Sequence, residues 1–255
     1  MLDEEIKSKF DQNNVAAIYV DSDEKRRLVF TRDQLINQLQ RVCQEINKSF
    51  DNVFKEEFQN LSYDLSEVFP VLFVGRNKAI KDGNKLLQTC GDLLWNSSNT
   101  IVASVQTLRC GFRLQSGALI RSVVEICATV VHLLTDPNIL DDFLSDKLKS
   151  TKSISIADKQ IPLFGMIWGV LSNKQMHINS LHADNYPLTE YKDKGEIPAS
   201  ITLGMLGATM MILAIVTELT FIHEVEKPKY WESLGQGGFK FIPPKETNWA
   251  AELLK

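Results

Sequence analysis

The residues best placed to do chemistry share one stretch of predicted helix, Gly117 to Thr135. Arg121, Glu125, Thr129 and His132 follow one another at intervals of four, four and three positions. That spacing puts side chains on the same face of an α-helix. Most other positions in the stretch are apolar, and a helix that is apolar nearly all round is usually buried. We therefore expect a buried helix that carries one narrow polar stripe.

That stripe has three interpretations. Arg121 and Glu125 are four residues apart and can pair, and a charge inside a protein needs such a partner because an unpaired one is strongly destabilising. The stripe is a buried pair that fixes the helix register, the solvent edge of the helix, or one wall of a functional pocket.

A further group capable of proton transfer follows an apolar helix predicted for residues 161–172. His177 stands five positions after that helix, and histidine titrates near neutral pH, so it can exchange a proton with a ribose 2′-hydroxyl. Arg121 would stabilise a phosphoryl charge, Glu125 would orient the arginine, and Ser172 would add a hydrogen bond. The hypothesis is an RNA-directed catalytic cluster, and the alternative is a histidine that only caps or packs.

Three segments carry a family resemblance over residues 100–225. In order and spacing they resemble a family of uncharacterised bacterial all-helical proteins with Arg-xxx-Glu and Leu-Ser…His motifs. The segments are Arg121-xxx-Glu125, Leu133-Leu-Thr-Asp-Pro137 and Leu171-Ser-Asn-Lys-Gln-Met-His177. The resemblance implies a helix that ends in an Asp-Pro turn, with the histidine segment one helix later, and it implies no particular activity.

More distantly, this layout resembles the helical HEPN domains of ribonuclease toxins and phage-defence systems. In those domains an Arg and a His on one helix cleave RNA without a metal, so the resemblance implies RNA as the substrate. This chain departs from the pattern because Asn173 and Lys174 precede His177. The arginine would therefore have to come from Arg121 on the neighbouring helix.

Other catalytic signatures are missing from the sequence. It has no P-loop, no HExxH, no GxSxG and no dinucleotide fingerprint. His177 and His182 are five positions apart, which would place them on different sides of a helix. We predict no cofactor and no metal site.

The net charge and the cysteines limit the possible binding partners and the cellular location of the protein. The 255 residues carry a formal net charge of −4, so RNA or an anionic membrane would have to be bound by a local patch. The four cysteines form no CxxC pair and are expected to be reduced. The first residues have no signal-peptide pattern. We expect a cytoplasmic protein.

The hydrophobic periodicity predicts an all-α fold, a bundle of six or more helices built on a four-helix core. Residues 15–30 leave room for a small β-hairpin. Pro70 and the run Asn96-Ser-Ser-Asn-Thr100 are expected to interrupt helices. Within a single domain, residues 1–60 form the hairpin and a long helix, residues 61–226 form the bundle core, and residues 227–255 form an extended tail.

Partners are predicted from three segments. Residues 197–217 have no charge and are long enough to cross a membrane, although a buried central helix is favoured. The long 173–196 loop and the tail aromatics Phe239, Phe241 and Trp249 would dock a protein partner, and a homo-oligomer stays open. The functional alternatives to RNA cleavage are a non-catalytic interaction subunit and a single-span membrane-associated protein.

Overall fold

The computed structural model of the protein describes residues 12–173, 180–184, 188–235 and 237–243. In these residues the chain forms ten α-helices and two β-hairpins. In chain order the elements are β1 (Val15–Asp21), β2 (Arg26–Thr31), α1 (Gln34–Asn37), α2 (Cys43–Val53), α3 (Lys55–Lys81), α4 (Lys85–Arg109), α5 (Gln115–Thr135), α6 (Leu140–Leu144), α7 (Ser150–Gln160), α8 (Phe164–Leu171), α9 (Ser180–Asp184), α10 (Ile197–Thr220), β3 (Trp231–Gly235) and β4 (Gly238–Phe241).

The predicted all-α bundle is confirmed, and so is the N-terminal hairpin. Strands β1 and β2 are antiparallel, with Ile18 opposite Val29 and Tyr19 opposite Leu28. A π-helical stretch, Gln38–Val42, joins α1 to α2. The hairpin therefore leads into one continuous helical segment that enters the bundle.

Helix α5 is the centre of the bundle. Helices α4, α7, α8 and α10 pack around it, so its apolar side chains are covered on several sides, as a helix of this composition requires. Ser104 on α4 and Ser116 on α5 are both fully buried, and their hydroxyl oxygens lie 2.7 Å apart. This hydrogen bond joins the two helices in the interior.

The predicted break at Pro70 is wrong, because α3 runs from Lys55 to Lys81 with Pro70 inside it. Proline removes the hydrogen bond to the carbonyl four residues earlier, which belongs to Ser66. Both residues are exposed, so water can reach that carbonyl. The proline is tolerated because it lies on the solvent side of the helix.

The predicted helix start at Asn96 is also wrong, because α4 continues through it from Lys85 to Arg109. The side chains that suggested a cap bond backwards within the helix instead. Ser98 donates to the carbonyl of Leu94 at 3.1 Å, and Thr100 donates to that of Asn96 at 2.8 Å. Hydroxyls that bond four residues back do not terminate a helix.

The described part of the C-terminal tail forms a second hairpin that docks on α10. Both carboxylate oxygens of the buried Glu218 accept backbone N–H groups, from Lys229 at 3.0 Å and Tyr230 at 2.8 Å. The indole of Trp231 donates to the carbonyl of Ile215 at 2.9 Å. The sequence did not predict β3 and β4.

We expect Glu218→Gln to lower the free energy of unfolding by about 1–3 kcal/mol, because an amide NH₂ would face a backbone donor and leave it unsatisfied. Urea unfolding measures this. Glu226→Gln, at an exposed position on the same connection, is the control and should stay within about 0.5 kcal/mol of wild type. Equal losses in both variants would contradict the role of Glu218.

Candidate functional site

Arg121 and Glu125 form the ion pair that their spacing allows, and Trp168 completes it. Arg121 Nε donates to Glu125 Oε1 at 3.0 Å. The indole N–H of Trp168 donates to the same oxygen at 3.1 Å. The guanidinium lies over the Trp168 ring, 5.0 Å from its centroid. The cluster therefore joins α5 to α8 by one hydrogen bond and one cation–π contact.

This cluster lies at the edge of the bundle. The side chains of Arg121 and Glu125 are 25% and 27% exposed, so solvent screens the pair and its contribution to stability is modest. Of the three interpretations of the stripe, the structure supports the solvent edge over a fully buried pair. A guanidinium that lies over an indole and is partly exposed to solvent has the chemistry to contact a phosphate or a nucleobase.

The other predicted members of the catalytic cluster are placed differently. Ser172 follows α8 and is buried, and among the described residues its hydroxyl has no hydrogen-bond partner. Thr129, which belongs to the polar stripe and not to the predicted catalytic cluster, donates to the backbone carbonyl of Glu125. His177 lies outside the described residues. The proposed pairing of Arg121 with a histidine therefore stays a prediction.

His132, the last member of the polar stripe, is buried away from solvent. Its Nδ1 is 3.1 Å from the hydroxyl of Ser153 on α7. Burial, and next the positive charge of Lys152, lower the pKa of His132 below its usual 6.5, while Asp136 opposes them. The imidazole is thus held neutral between two helices, as a packing residue.

A second polar cluster, which the sequence did not predict, surrounds Arg113. This arginine is 6% exposed and donates to Glu196 at 2.9 Å and to the carbonyl of Thr189 at 3.2 Å. Its guanidinium lies 4.1 Å above the ring of Tyr191, whose hydroxyl donates to the carbonyl of Leu108. These contacts fix residues 188–196, the described end of the predicted long loop, to the bundle.

No cluster of three or more metal-binding side chains occurs in the part of the chain that the structure describes. Two of the thiols are also removed from solvent. Cys90 and Cys127 are fully buried, and burial raises the pKa of each to about 12. These two thiols are small core residues rather than nucleophiles.

A group of exposed apolar side chains lies on the N-terminal arm, which we define as residues 15–42. Within the described residues, β1, β2 and α1 make no extensive contact with helices α3 to α10. Eight large apolar side chains of the arm are between 38% and 71% exposed. They are Tyr19, Val20, Leu28 and Phe30 on the hairpin, and Leu35, Ile36, Leu39 and Val42 on the helical stretch.

The arm continues a line of side chains that begins in the core. Leu35, Leu39, Val42, Ile46 and Phe50 follow at helical intervals of three and four. Ile46 and Phe50 are buried in the bundle, whereas the first three are exposed. This apolar sequence pattern is therefore covered by the protein at one end and uncovered at the other, and the π-helical residues 38–42 lie between the two ends.

The surfaces predicted to dock a partner are in part used internally. Phe239 and Phe241 pack against the core, and residues 188–196 are held by Arg113. Trp249 lies outside the described residues. Docking through the loop and tail stays a prediction.

Among the residues that the structure describes, two helices, α5 and α10, are long and apolar enough to cross a membrane by length and composition. In their most hydrophobic windows, 56% of α5 and 67% of α10 is buried inside the protein. Packing in the bundle accounts for most of their apolar character without lipid.

Comparison of this chain with protein-family models, curated proteins and solved structures finds no match. The resemblance to bacterial helical proteins and to HEPN domains stays a prediction.

We expect the neutral His132 to make stability depend on pH. The folded protein holds its pKa below the unfolded value of 6.5, so the unfolded state binds the proton first as pH falls. The stabilisation is full above pH 6.5 and is lost as pH falls toward the folded pKa. Urea unfolding at about pH 7.5 and about pH 5.5 should show a smaller loss for His132→Gln than for wild type.

The control for this measurement is His223→Gln, at an exposed histidine, which should keep the pH dependence of wild type. If His132→Gln keeps the pH dependence of wild type, the burial of His132 is not the cause of that dependence.

Proposed function

We propose that this protein is a non-catalytic assembly subunit whose N-terminal arm binds the arm of a second copy of the chain. The observation that carries this proposal is the set of eight exposed apolar side chains on the arm. On the hairpin, Tyr19, Leu28 and Phe30 share one face, and exposed apolar surface of that kind is characteristic of an interaction site.

The area available supports a stable interface. From the exposed fractions, the eight side chains present on the order of 700 Å² to solvent, close to the about 800 Å² that each partner contributes to a standard interface. Covering apolar surface is favourable by about 25 cal/mol per Å². This gain acts against the entropy that is lost on association.

The exposed apolar face of the N-terminal hairpin also favours a binding partner. A two-stranded sheet in water is marginally stable and needs more strands or a packed face. Tyr19 and Leu28 are directly opposite each other, and Phe30 is opposite Ala17 on the same face. All of them are exposed. A second arm would provide the missing layer.

A second copy is the partner that the chemistry favours. The exposed positions Leu35, Leu39 and Val42 are apolar, and two identical apolar surfaces related by a two-fold axis match each other. Residues 15–42 hold five basic and four acidic side chains, and Arg26 already pairs with Asp21 and Glu24. The arm has little net charge with which to select nucleic acid or a strongly charged protein.

We expect wild-type protein to sediment as a dimer and Leu39→Lys to sediment as a monomer. A lysine in the covered stripe would bury an unpaired charge, which weakens the dimer at least tenfold. The matched control is Val74→Lys on α3, because Val74 and Leu39 are both 52% exposed. It should leave the dimer intact, and both variants should keep the melting temperature of the bundle. A monomeric wild type at all concentrations would overturn the proposal.

A second candidate function, RNA-directed activity of the HEPN type, is favoured by one observation. The guanidinium of Arg121 is stacked on Trp168 and accessible to solvent at the bundle edge. This is the combination of positive charge and aromatic ring with which proteins bind single-stranded nucleic acid. Cleavage would require His177 to supply the proton transfer.

For this candidate we expect purified wild type to cleave RNA, and Arg121→Ala and His177→Ala to lose cleavage while they stay folded. Arg76→Ala is the matched control, because Arg76 is also a partly exposed arginine in an ion pair, with Asp92 on the neighbouring helix. Melting temperatures test the folding of each variant. Absence of cleavage by wild type would reject RNA hydrolysis and leave the assembly proposal untouched.

A further inference from the structure

Two thiols meet where the arm enters the bundle. Cys43 is the first residue of α2, directly after the arm, and Cys110 directly follows α4. They are 67 positions apart in the sequence, yet Cys43 Sγ lies 3.8 Å from the backbone oxygen of Cys110. That contact places the Cys43 sulfur against the backbone of Cys110, so the two residues are neighbours in the fold. This is the only thiol pair with such a contact among the described residues.

The two thiols have different surroundings. Cys110 is partly exposed, and its sulfur accepts a hydrogen bond from Gln106 Nε2 at 3.2 Å. Cys43 is buried, and burial, with a further contribution from Cys110, raises the pKa of Cys43 to about 11. Oxidants in solution therefore reach Cys110 first, and Cys43 stands beside it as a protonated thiol.

We propose that Cys43 and Cys110 are a redox-modification site, at which a hydroperoxide converts the two thiols into a disulfide. The Cys110 thiolate attacks one peroxide oxygen, the O–O bond breaks, and an alcohol or water leaves, so that Cys110 becomes a sulfenic acid. The Cys43 sulfur then attacks the sulfur of Cys110, the S–O bond breaks, and the departing hydroxide takes the Cys43 proton to leave as water. The peroxide is reduced by two electrons and the thiol pair is oxidised by two.

The bond would have a structural consequence. It would tie the start of α2 to the end of α4 and close a loop of 67 residues, which restricts the unfolded chain and raises the melting temperature. Thiol reductants would reverse it. The proposal concerns the thiols alone and holds whether or not the arm binds a second copy.

The test is to treat the reduced full-length protein with hydrogen peroxide, alkylate the remaining thiols, and measure the intact and peptide masses. We expect the loss of two alkylatable thiols per chain, a mass lower by two hydrogens, and a cross-linked peptide that joins Cys43 to Cys110. Dithiothreitol should restore both thiols, and the oxidised protein should melt at a higher temperature than the reduced protein.

Cysteine variants test which two thiols form the disulfide. The cross-link should be absent in Cys43→Ser and in Cys110→Ser, the second of which changes a partly exposed position that the core does not need. It should persist in Cys90→Ala, the control for a buried thiol. The proposal is overturned if Cys110 only gains oxygen atoms while Cys43 remains alkylatable, or if the bond joins Cys110 residues of two chains.

Discussion

The requirement to cover α5 on nearly every side organises the rest of this structure. Its side chains from Ile120 to Leu133 are mostly buried, and no single neighbour can cover a helix all round. Helices α4, α7, α8 and α10 therefore pack around it. The few polar groups on α5 must then find partners on those same neighbours, because a buried polar group without one is destabilising.

The packing of the neighbouring helices determines the hydrogen-bond partners of the polar stripe on α5. Helix α8 brings Trp168 to Glu125, and α7 brings Ser153 to His132. Towards one end of the stripe the helix is open to solvent and Arg121 keeps a quarter of its side chain exposed, whereas at the other end the imidazole is enclosed. One line of side chains thus contains both an accessible cation and a histidine held neutral, and the difference between them comes from the covering helices.

Residue spacing predicted the features that depend on interactions between residues close together in the sequence. It did not predict those that depend on distant residues. The Arg121–Glu125 pair, the hairpin and the end of α5 before Pro137 follow from short-range rules. The partners of Arg113 do not, because Glu196 is 83 positions away. The docking of the C-terminal hairpin was missed for the same reason. At Pro70 the local signal was present but was outweighed, since the remaining hydrogen bonds and the packing of a 27-residue helix persist around one missing donor.

The N-terminal arm shows a different limit of sequence patterns. Leu39 and Ile46 have the same type of side chain and the same periodicity, yet Ile46 is buried by helices of its own chain and Leu39 is uncovered. The hydrophobic periodicity indicates that a helix face must be covered. It does not indicate whether the cover comes from the same chain or from another molecule. Cys43 stands between these two residues, at the position where cover from the same chain begins. A substitution on the bundle side of that position changes a buried side chain and acts on folding, whereas one on the arm side changes an exposed side chain and tests the proposed interaction. The fold and the proposed interaction are therefore separable along one helix, and this separation allows each to be tested without disturbing the other.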